Sequence, residues 1–448
     1  MQKFDLIVIG AGSGLDVMAA AAGRGMKVAL VEEGPMGGTC LNRGCIPSKI
    51  LIHAADVMQA IRSAHKFGIS VGKVSVDFKK TMARARMVDE EAAQIEANIR
   101  KSKSITLFKE RAVFSGQKTI RLKGGEITSD KIVIAAGTRP AVPPIEGLDK
   151  VPFMTSDGAL RAERLPEKLI VIGGGYIACE LAHFFGSMGS SITILQRNVR
   201  LLPDEDEEIS AKFTELFSKQ HEVHLKFAVK RVEKTGGKII VYDADGNSVE
   251  GTDLMIATGR VPNSDILDVS KTGVKTNKHG YIETNEFLET NVPGIWAFGD
   301  IAGKYLFKHS ANLEAEYVTI ALITPQHRHP VDYTAMPHAV FSSPQVAGVG
   351  ATEQELKEKG VDYLVGRYKY ADTGMGEAMA EEDGFVKFLA DYEGKILGCH
   401  IIGPEASTLI HEVLVSMKAG KSHVNDIVNT VHIHPALSEV VQRGAGSV

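Results

Sequence analysis

Short apolar runs followed by glycine-rich turns recur along this chain. The run Phe4-Asp5-Leu6-Ile7-Val8-Ile9 leads into Gly10-Ala11-Gly12-Ser13-Gly14, an alanine-rich stretch to Gly25, and a second apolar run, Lys27-Val28-Ala29-Leu30-Val31, closed by Glu32. Short apolar runs bounded by turn residues predict buried strands, and the alanine-rich stretch predicts a helix. The pattern is one βαβ unit with an acid at the end of its second strand. It returns at residues 168–172, followed by Gly173-Gly174-Gly175-Tyr176-Ile177-Ala178, a helix to Gly189, and the run Ser191-Ile192-Thr193-Ile194-Leu195 before Gln196-Arg197. Each copy has a second matching element, residues 131–140 (around Gly137) and 253–262 (around Gly259). Two matched pairs in the same order predict two nucleotide-binding domains. Between them, residues 82–103 read as one long charged helix, and Asp204-Glu205-Asp206-Glu207-Glu208 as the acidic start of another. From about Ala335 the texture shifts to short strands and a helix near residues 406–419, the mark of a third, α+β domain.

Size and charge agree with this division. At about 150 residues per domain, 448 residues make about three domains. A 44% hydrophobic and 24% charged chain with a net charge of −4 is an ordinary globular protein without the basic excess of a nucleic-acid binder. The basic cluster Lys79, Lys80, Arg84 and Arg86 reads as a solvated helix face. The longest stretch free of Asp, Glu, Lys and Arg, residues 333–352, contains Pro337 and Pro344 and fails as a membrane span. Asp5 and Asp16 interrupt the only segment resembling a signal peptide, so a cytoplasmic location is expected.

The glycine turns carry the first chemistry. A dinucleotide site needs glycines so that backbone can approach a pyrophosphate at a helix N-terminus. In the first turn, Gly10, Gly12 and Gly14 fall close to that pattern, but Leu15 stands where a third glycine permits tight helix–strand packing, so a slightly wider crossing is expected. In the second, Gly173, Gly175 and Ala178 match the pattern. Glu32 suits a ribose hydroxyl, whereas Gln196 with Arg197 and Arg200 nearby suits a 2′-phosphate, which favours NADP(H) over NAD(H) at the second site.

Only four cysteines occur, Cys40, Cys45, Cys179 and Cys399. Such a count is too low for a secreted disulfide scaffold, and the close pair Cys40/Cys45 suggests redox chemistry or metal binding. No second Cys/His pair lies near it to complete a metal site, and no metal ligand set is predicted. Five positions on a straight helix rise about 7.5 Å, beyond the roughly 7 Å Cα separation a disulfide tolerates. A bridge therefore needs a bent start, which Gly44 and Pro47 permit. Cys179 and Cys399 read as inert buried thiols, and His432/His434 as a poor metal pair for want of a third ligand.

The segment Gly37-Gly38-Thr39-Cys40-Leu41-Asn42-Arg43-Gly44-Cys45-Ile46-Pro47-Ser48-Lys49 resembles the active-site helix of the flavoprotein pyridine-nucleotide disulfide oxidoreductases, most of all their dihydrolipoamide dehydrogenase branch. The resemblance extends over both glycine turns, residues 290–300, residues 336–350 and Val431-His432-Ile433-His434-Pro435-Ala436-Leu437-Ser438-Glu439. It implies an α/β fold with two Rossmann-like domains, for FAD and NAD(P), plus a C-terminal α+β dimerisation domain. The implied segments are 1–143 (FAD), 144–262 (NAD(P)), 263–334 (FAD and central) and 335–448 (dimerisation). It places Gly10, Gly12, Gly14, Glu32, Thr39, Lys49, Gly137 and Asp300 around FAD, with Lys49 paired to Glu180. Gly173, Gly175, Tyr176, Ala178, Glu180, Gln196, Arg197 and Gly259 fall around NAD(P), with Tyr176 as a cover for the flavin.

The resemblance further implies a homodimer in which His434 of one subunit, oriented by Glu439, serves a working Cys40–Cys45 disulfide of the other. The expected reaction is oxidation of a small-molecule or lipoyl-domain dithiol, with a 2-oxoacid dehydrogenase complex as one expected host. Tyr176, Ala178 and Arg197 also resemble glutathione reductase, which leaves an NADPH-dependent disulfide reductase as the competing expectation. A non-catalytic flavoprotein is a third, and it would leave the Cys pair and the His–Glu pair without a task.

Overall fold

The computed structural model describes residues 1–448 and forms two compact units, one of Met1–Ile50, Met82–Ala141 and Gly259–Asp332, the other of Leu51–Thr81, Val142–Thr258 and Tyr333–Val448. The first is built on a parallel five-stranded sheet. Leu6–Ile9 lies at its centre between Val28–Val31 and Ile132–Ile134, with Ile105–Phe108 and Ile295–Ala297 at the edges. Both faces are covered, as an all-parallel sheet requires. One face packs Ile7, Ile9, Val31 and Ile132 against Phe114, Ile120 and Ile127 of a second, four-stranded sheet. The other packs Leu6, Val8, Leu30 and Val133 against the helices Gly14–Gly23 and Lys308–Ile323. The opening apolar run is divided at Asp5, whose carboxylate accepts the Lys27 N–H at 2.7 Å. Gln2–Phe4 joins the second sheet and Leu6–Ile9 the first.

The expected single helix over residues 82–103 is two helices, Phe78–Ala85 and Val88–Lys101. Charge order accounts for the break. Arg84 closes the first helix and Asp89, Glu90 and Glu91 open the second, each sign at the dipole end it favours. Val88, buried, pins the new start against Leu41.

The second unit holds a parallel sheet in the order Glu222–Leu225, Ser191–Gln196, Lys168–Ile172, Asp253–Ile256, together with a three-stranded antiparallel meander over 229–251. It also holds an antiparallel sheet in the order Pro337–Val340, Val346–Gly350, Ile396–Ile402, Phe385–Ala390, Leu364–Lys369. Helices Ala406–Ala419 and Ser438–Ala445 pack Ile410, Val413, Val440 and Val441 onto Phe388, Cys399 and Ile401 of that sheet. The class is α/β with two Rossmann-like sheets and a C-terminal α+β region. No helix is long and apolar enough to cross a membrane.

The two glycine turns close in the same way. Gly10 has φ +102°, and a Cβ on it would lie 2.3 Å from the Ala135 carbonyl oxygen. Gly173 has φ +119°, and its Cβ would lie 2.2 Å from that of Ala257. Tight helix–strand packing in the first copy falls to Gly14, where a Cβ would come within 3.0 Å of Val8 Cγ1, while Leu15 packs at the edge of the apolar cluster. Gly10→Ala combines a strained backbone with a collision against main chain, and is expected to lower stability by at least about 2 kcal/mol. Gly23→Ala, in open space at a helix end, should leave the urea midpoint unchanged or slightly raised. An unshifted midpoint in Gly10→Ala would overturn this account of the turn.

Candidate active site

The two close cysteines stand on different helices. Cys40 lies within Gly38–Arg43 and Cys45 opens Cys45–Ser63. Gly44 separates them at φ −149° and ψ −115°, so the chain turns between the sulfurs instead of continuing straight. A Cβ on Gly44 would lie 2.9 Å from the Thr39 carbonyl oxygen, so the turn is folded closely onto Thr39. Pro47 sits in the first turn of the second helix, where its missing N–H leaves no helical bond unmade. The result brings the two thiols together, close enough for Cys45 to act on the proton affinity of Cys40.

That pairing controls the thiol chemistry. Cys40 is pushed well above the ordinary thiol range by its bond to Cys45, by burial and by the Cys45 charge, while Lys308 pulls it down. The Lys308 ammonium is fixed by donation to Ser13 Oγ at 2.7 Å and to Asn312 Oδ1 at 2.6 Å. Sequence reading missed Lys308, Ser13 and Asn312 as a group. Lys308 and Asn312 are remote from Ser13 in the chain and belong to no motif, and only the packing of the glycine turn against their helix unites the three.

Around the first glycine turn, Glu32 accepts the Ala11 N–H at 2.8 Å and the Gly34 N–H at 2.6 Å. A Cβ on Gly12 would meet only Gly38 Cα, at 4.0 Å, so the backbone stays open at the start of helix Gly14–Gly23. These residues fit a dinucleotide there: an open N-terminal turn for a pyrophosphate and a carboxylate at the strand end for a ribose. Thr39 and Lys49 are both half-buried beside the cysteines. Gly137 adopts φ +63°, and Thr138 next to it donates to Asp300 Oδ2 at 2.8 Å. Arg260, also absent from the sequence expectations, donates from Nε to Thr138 Oγ1 at 2.7 Å and so fixes the Thr138–Asp300 pair.

The second turn has the same shape. Gly175 precedes helix Tyr176–Met188 with nothing near its Cβ position, Ala178 is fully buried, and Tyr176 is 36% exposed. This open cradle fits a second dinucleotide. Glu180 accepts the Phe341 N–H at 3.0 Å. Gln196 is buried and accepts the Asn198 N–H at 3.3 Å, and its amide lies against Gly174. Arg197 is exposed, whereas Arg200 is paired with Glu207 at 2.7 Å. Gly259 has φ +111° and open space beside it.

Near the C-terminus, His434 Nδ1 lies 3.0 Å from Glu439 Oε1, and Glu439 Oε2 accepts the Ala436 N–H at 3.2 Å. Both bonds hold the Glu439 carboxyl below its usual range. The carboxylate is buried and the imidazole side chain is 73% exposed. His432 is engaged with Glu412 at 2.5 Å and with the Thr430 carbonyl at 2.8 Å. Cys179 and Cys399 are fully buried, and burial raises both thiols well above the ordinary range.

A family model described as pyridine nucleotide-disulphide oxidoreductase matches residues 4–324, and the dimerisation domain of the same group matches residues 336–445. Mycothione reductase of Mycobacterium tuberculosis is 34% identical, over 99% of this chain and 98% of its own. Dihydrolipoyl dehydrogenase of Geobacillus stearothermophilus is 33% identical (98% and 95%), and mitochondrial dihydrolipoyl dehydrogenase 1 of Arabidopsis thaliana is 35% identical (98% and 89%). Among solved structures, the Cu(II) complex of the HOCl-induced flavoprotein disulfide reductase RclA of Escherichia coli superposes with a TM-score of 0.89 at 28% identity, covering 100% of this chain and 99% of that one.

The causes acting on Cys40 set an expectation for the reduced protein. Cys45→Ala removes the largest upward influence, so the pH at which Cys40 is half-alkylated by iodoacetamide should fall. Lys308→Met removes the larger downward one and should raise it. Equal alkylation profiles in the wild type and both variants would refute the electrostatic picture.

Proposed function

This chain belongs to the pyridine nucleotide-disulphide oxidoreductases, and from that premise we propose that it oxidises a dihydrolipoyl dithiol through Cys40 and Cys45. Such flavoprotein disulfide oxidoreductases use FAD and NAD(P). The observation that carries the reading is the Cys40/Cys45 pair, set on two helices that turn together at Gly44. Residues 1–143 and 263–334 would hold FAD through Gly10, Gly12, Gly14, Glu32, Thr39, Lys49, Gly137 and Asp300. Residues 144–262 would hold NAD(P) through Gly173, Gly175, Tyr176, Ala178, Gln196, Arg197 and Gly259, with Glu180 behind them. FAD, when bound, supplies the two-electron relay between the cysteine pair and the pyridine nucleotide.

The residues divide the thiol chemistry as follows. Glu439 fixes Nδ1 of His434, which leaves Nε2 to take a proton from a substrate thiol. The resulting thiolate attacks Cys40 Sγ of the oxidised pair, and the Cys40–Cys45 bond breaks with Cys45 leaving as thiolate. The second substrate thiol displaces Cys40 from the mixed disulfide. Two electrons then rest on the cysteine pair and the substrate leaves as a cyclic disulfide. The exposure of His434 suits a base that serves a neighbouring subunit, and the dimerisation domain supports a homodimer. A lipoyl domain of a 2-oxoacid dehydrogenase complex is the partner this reading calls for. The few cysteines suit a cytoplasmic setting.

A second reading runs the chemistry in reverse, with NADPH reducing a low-molecular-weight disulfide. Gln196 with the exposed Arg197 favours it, as does the likeness to mycothione reductase. Steady-state rates with dihydrolipoamide and with a panel of thiol disulfides separate the two. Dihydrolipoamide is expected to be oxidised fastest, and turnover confined to disulfide reduction would reverse the assignment. His434→Gln should lower dithiol turnover by about 10²–10⁴ while flavin content stays constant. Absence of all thiol turnover in flavin-replete wild type would favour a non-catalytic flavoprotein. For the coenzyme, NADPH is expected to give the higher kcat/KM, and Arg197→Met to reduce that advantage by about tenfold. A wild type that prefers NADH would remove the phosphate-binding role of Arg197.

A further inference from the structure

The acidic run Asp204–Glu208 exceeds what starting a helix requires. Only Asp206 caps the helix Glu207–Gln220, accepting the Glu208 N–H at 3.1 Å. Apart from Arg200, which pairs with Glu207, the cationic and imidazole partners of the run come from the antiparallel sheet. Across its five strands, His338, Gly348, His400, Lys387 and Arg367 stand directly opposite one another and share one face. The acids meet three rungs of this row. Glu205 lies 2.8 Å from His338, and Asp206 lies 2.8 Å from Lys387. Glu208 lies 2.8 Å from Arg367 and 3.3 Å from Lys387, and Glu353 adds a bond to Lys387 at 2.6 Å. The Lys387 and Asp206 side chains are 1% and 0% exposed.

A buried ammonium with buried carboxylate partners fixes the position of whatever carries those carboxylates, because separating them strands a charge out of water. Asp206 ends a short turn that reaches the second glycine loop. Leu202 N–H donates to the Gly174 carbonyl at 2.8 Å, and Glu205 N–H donates to the Leu202 carbonyl at 3.1 Å. Helix Glu207–Gln220 grips the turn from its other side, with Ser210 Oγ donating to the Leu201 carbonyl at 2.7 Å. A Cβ on Gly174 would collide with Leu201 Cδ2 at 2.8 Å and Gln196 Nε2 at 2.6 Å, so turn and glycine loop are in direct contact. Leu202 is held at φ +49°, a conformation leucine adopts only when its surroundings impose it.

We propose that Lys387 is a positioning residue for the pyridine nucleotide, acting through Asp206 and the Leu202 turn to hold the Gly174 backbone where the coenzyme meets it. Lys387 touches neither coenzyme nor dithiol. It belongs to the dimerisation-domain match and governs a loop in the second Rossmann-like sheet. The proposal rests on the assignment of residues 173–178 to NAD(P).

The test uses the FAD-loaded enzyme and reads each half-reaction separately under anaerobic conditions. Wild type is first mixed with NADPH or NADH, and the coenzyme it uses better is carried forward. In Lys387→Met, the coenzyme concentration that half-saturates flavin reduction should rise roughly tenfold, the scale of couplings transmitted through packed networks. The rate of flavin reduction by dithiol should stay within about twofold of wild type, well inside the scatter a remote site shows. Lys387→Arg should restore half-saturation. If Lys387→Met does not accumulate as folded flavoprotein, Asp206→Asn carries the same expectation, since Lys387 keeps Glu353 and Glu208 as partners. Unchanged half-saturation in a folded variant, or an equal loss in both half-reactions, overturns the proposal. A wild type that neither coenzyme reduces would instead remove the NAD(P) assignment beneath it.

Discussion

The turn at Gly44 is the constraint on which the rest depends. On an unbroken helix the sulfurs of Cys40 and Cys45 would stand too far apart to interact. With Gly44 folded onto Thr39, the two thiols meet, and Cys45 raises the proton affinity of Cys40. Lys308, held by Ser13 and Asn312, adds a fixed positive charge from the side of the first glycine turn. The sulfur pair and the expected flavin site therefore share one local frame, made by Gly38 lying against Gly12.

The two glycine turns are one piece of backbone geometry built twice. In both, the first glycine presses on a carbonyl at the end of the neighbouring strand, and no side chain could replace its hydrogen. They diverge at the end of the second strand. Glu32 spends its carboxylate on two backbone N–H groups of its own unit, whereas Gln196 is neutral, lies on Gly174 and is followed by an exposed arginine. The architecture is repeated, and the two copies differ in a few side chains at one strand tip.

Much of this was legible in the residue pattern, because the signals were local. Both βαβ units, the cysteine pair, the change of texture after residue 335 and the family could all be read from contiguous segments. The His434–Glu439 bond was legible because five residues across a proline turn leave little freedom. The break between Ala85 and Val88 escaped because no glycine or proline marks it, and only the order of charges does. Lys308, Arg260 and Lys387 escaped for another reason: their partners lie far away in the chain, and a lone lysine or arginine carries no sign of whom it meets. The acidic run at 204–208 was correctly read as a helix start, but its second engagement with a basic row exists only once five separate strands are aligned.

Cys179 and Cys399 are sealed in apolar surroundings that keep them protonated. An oxidant of thiols arriving from solution therefore finds one cysteine couple with which to react. Injury falls on the couple proposed to turn over. Damage short of the sulfinic stage is reversible by the same reducing equivalents that the molecule handles in its ordinary cycle, while deeper oxidation at either sulfur ends that copy's working life in a single event.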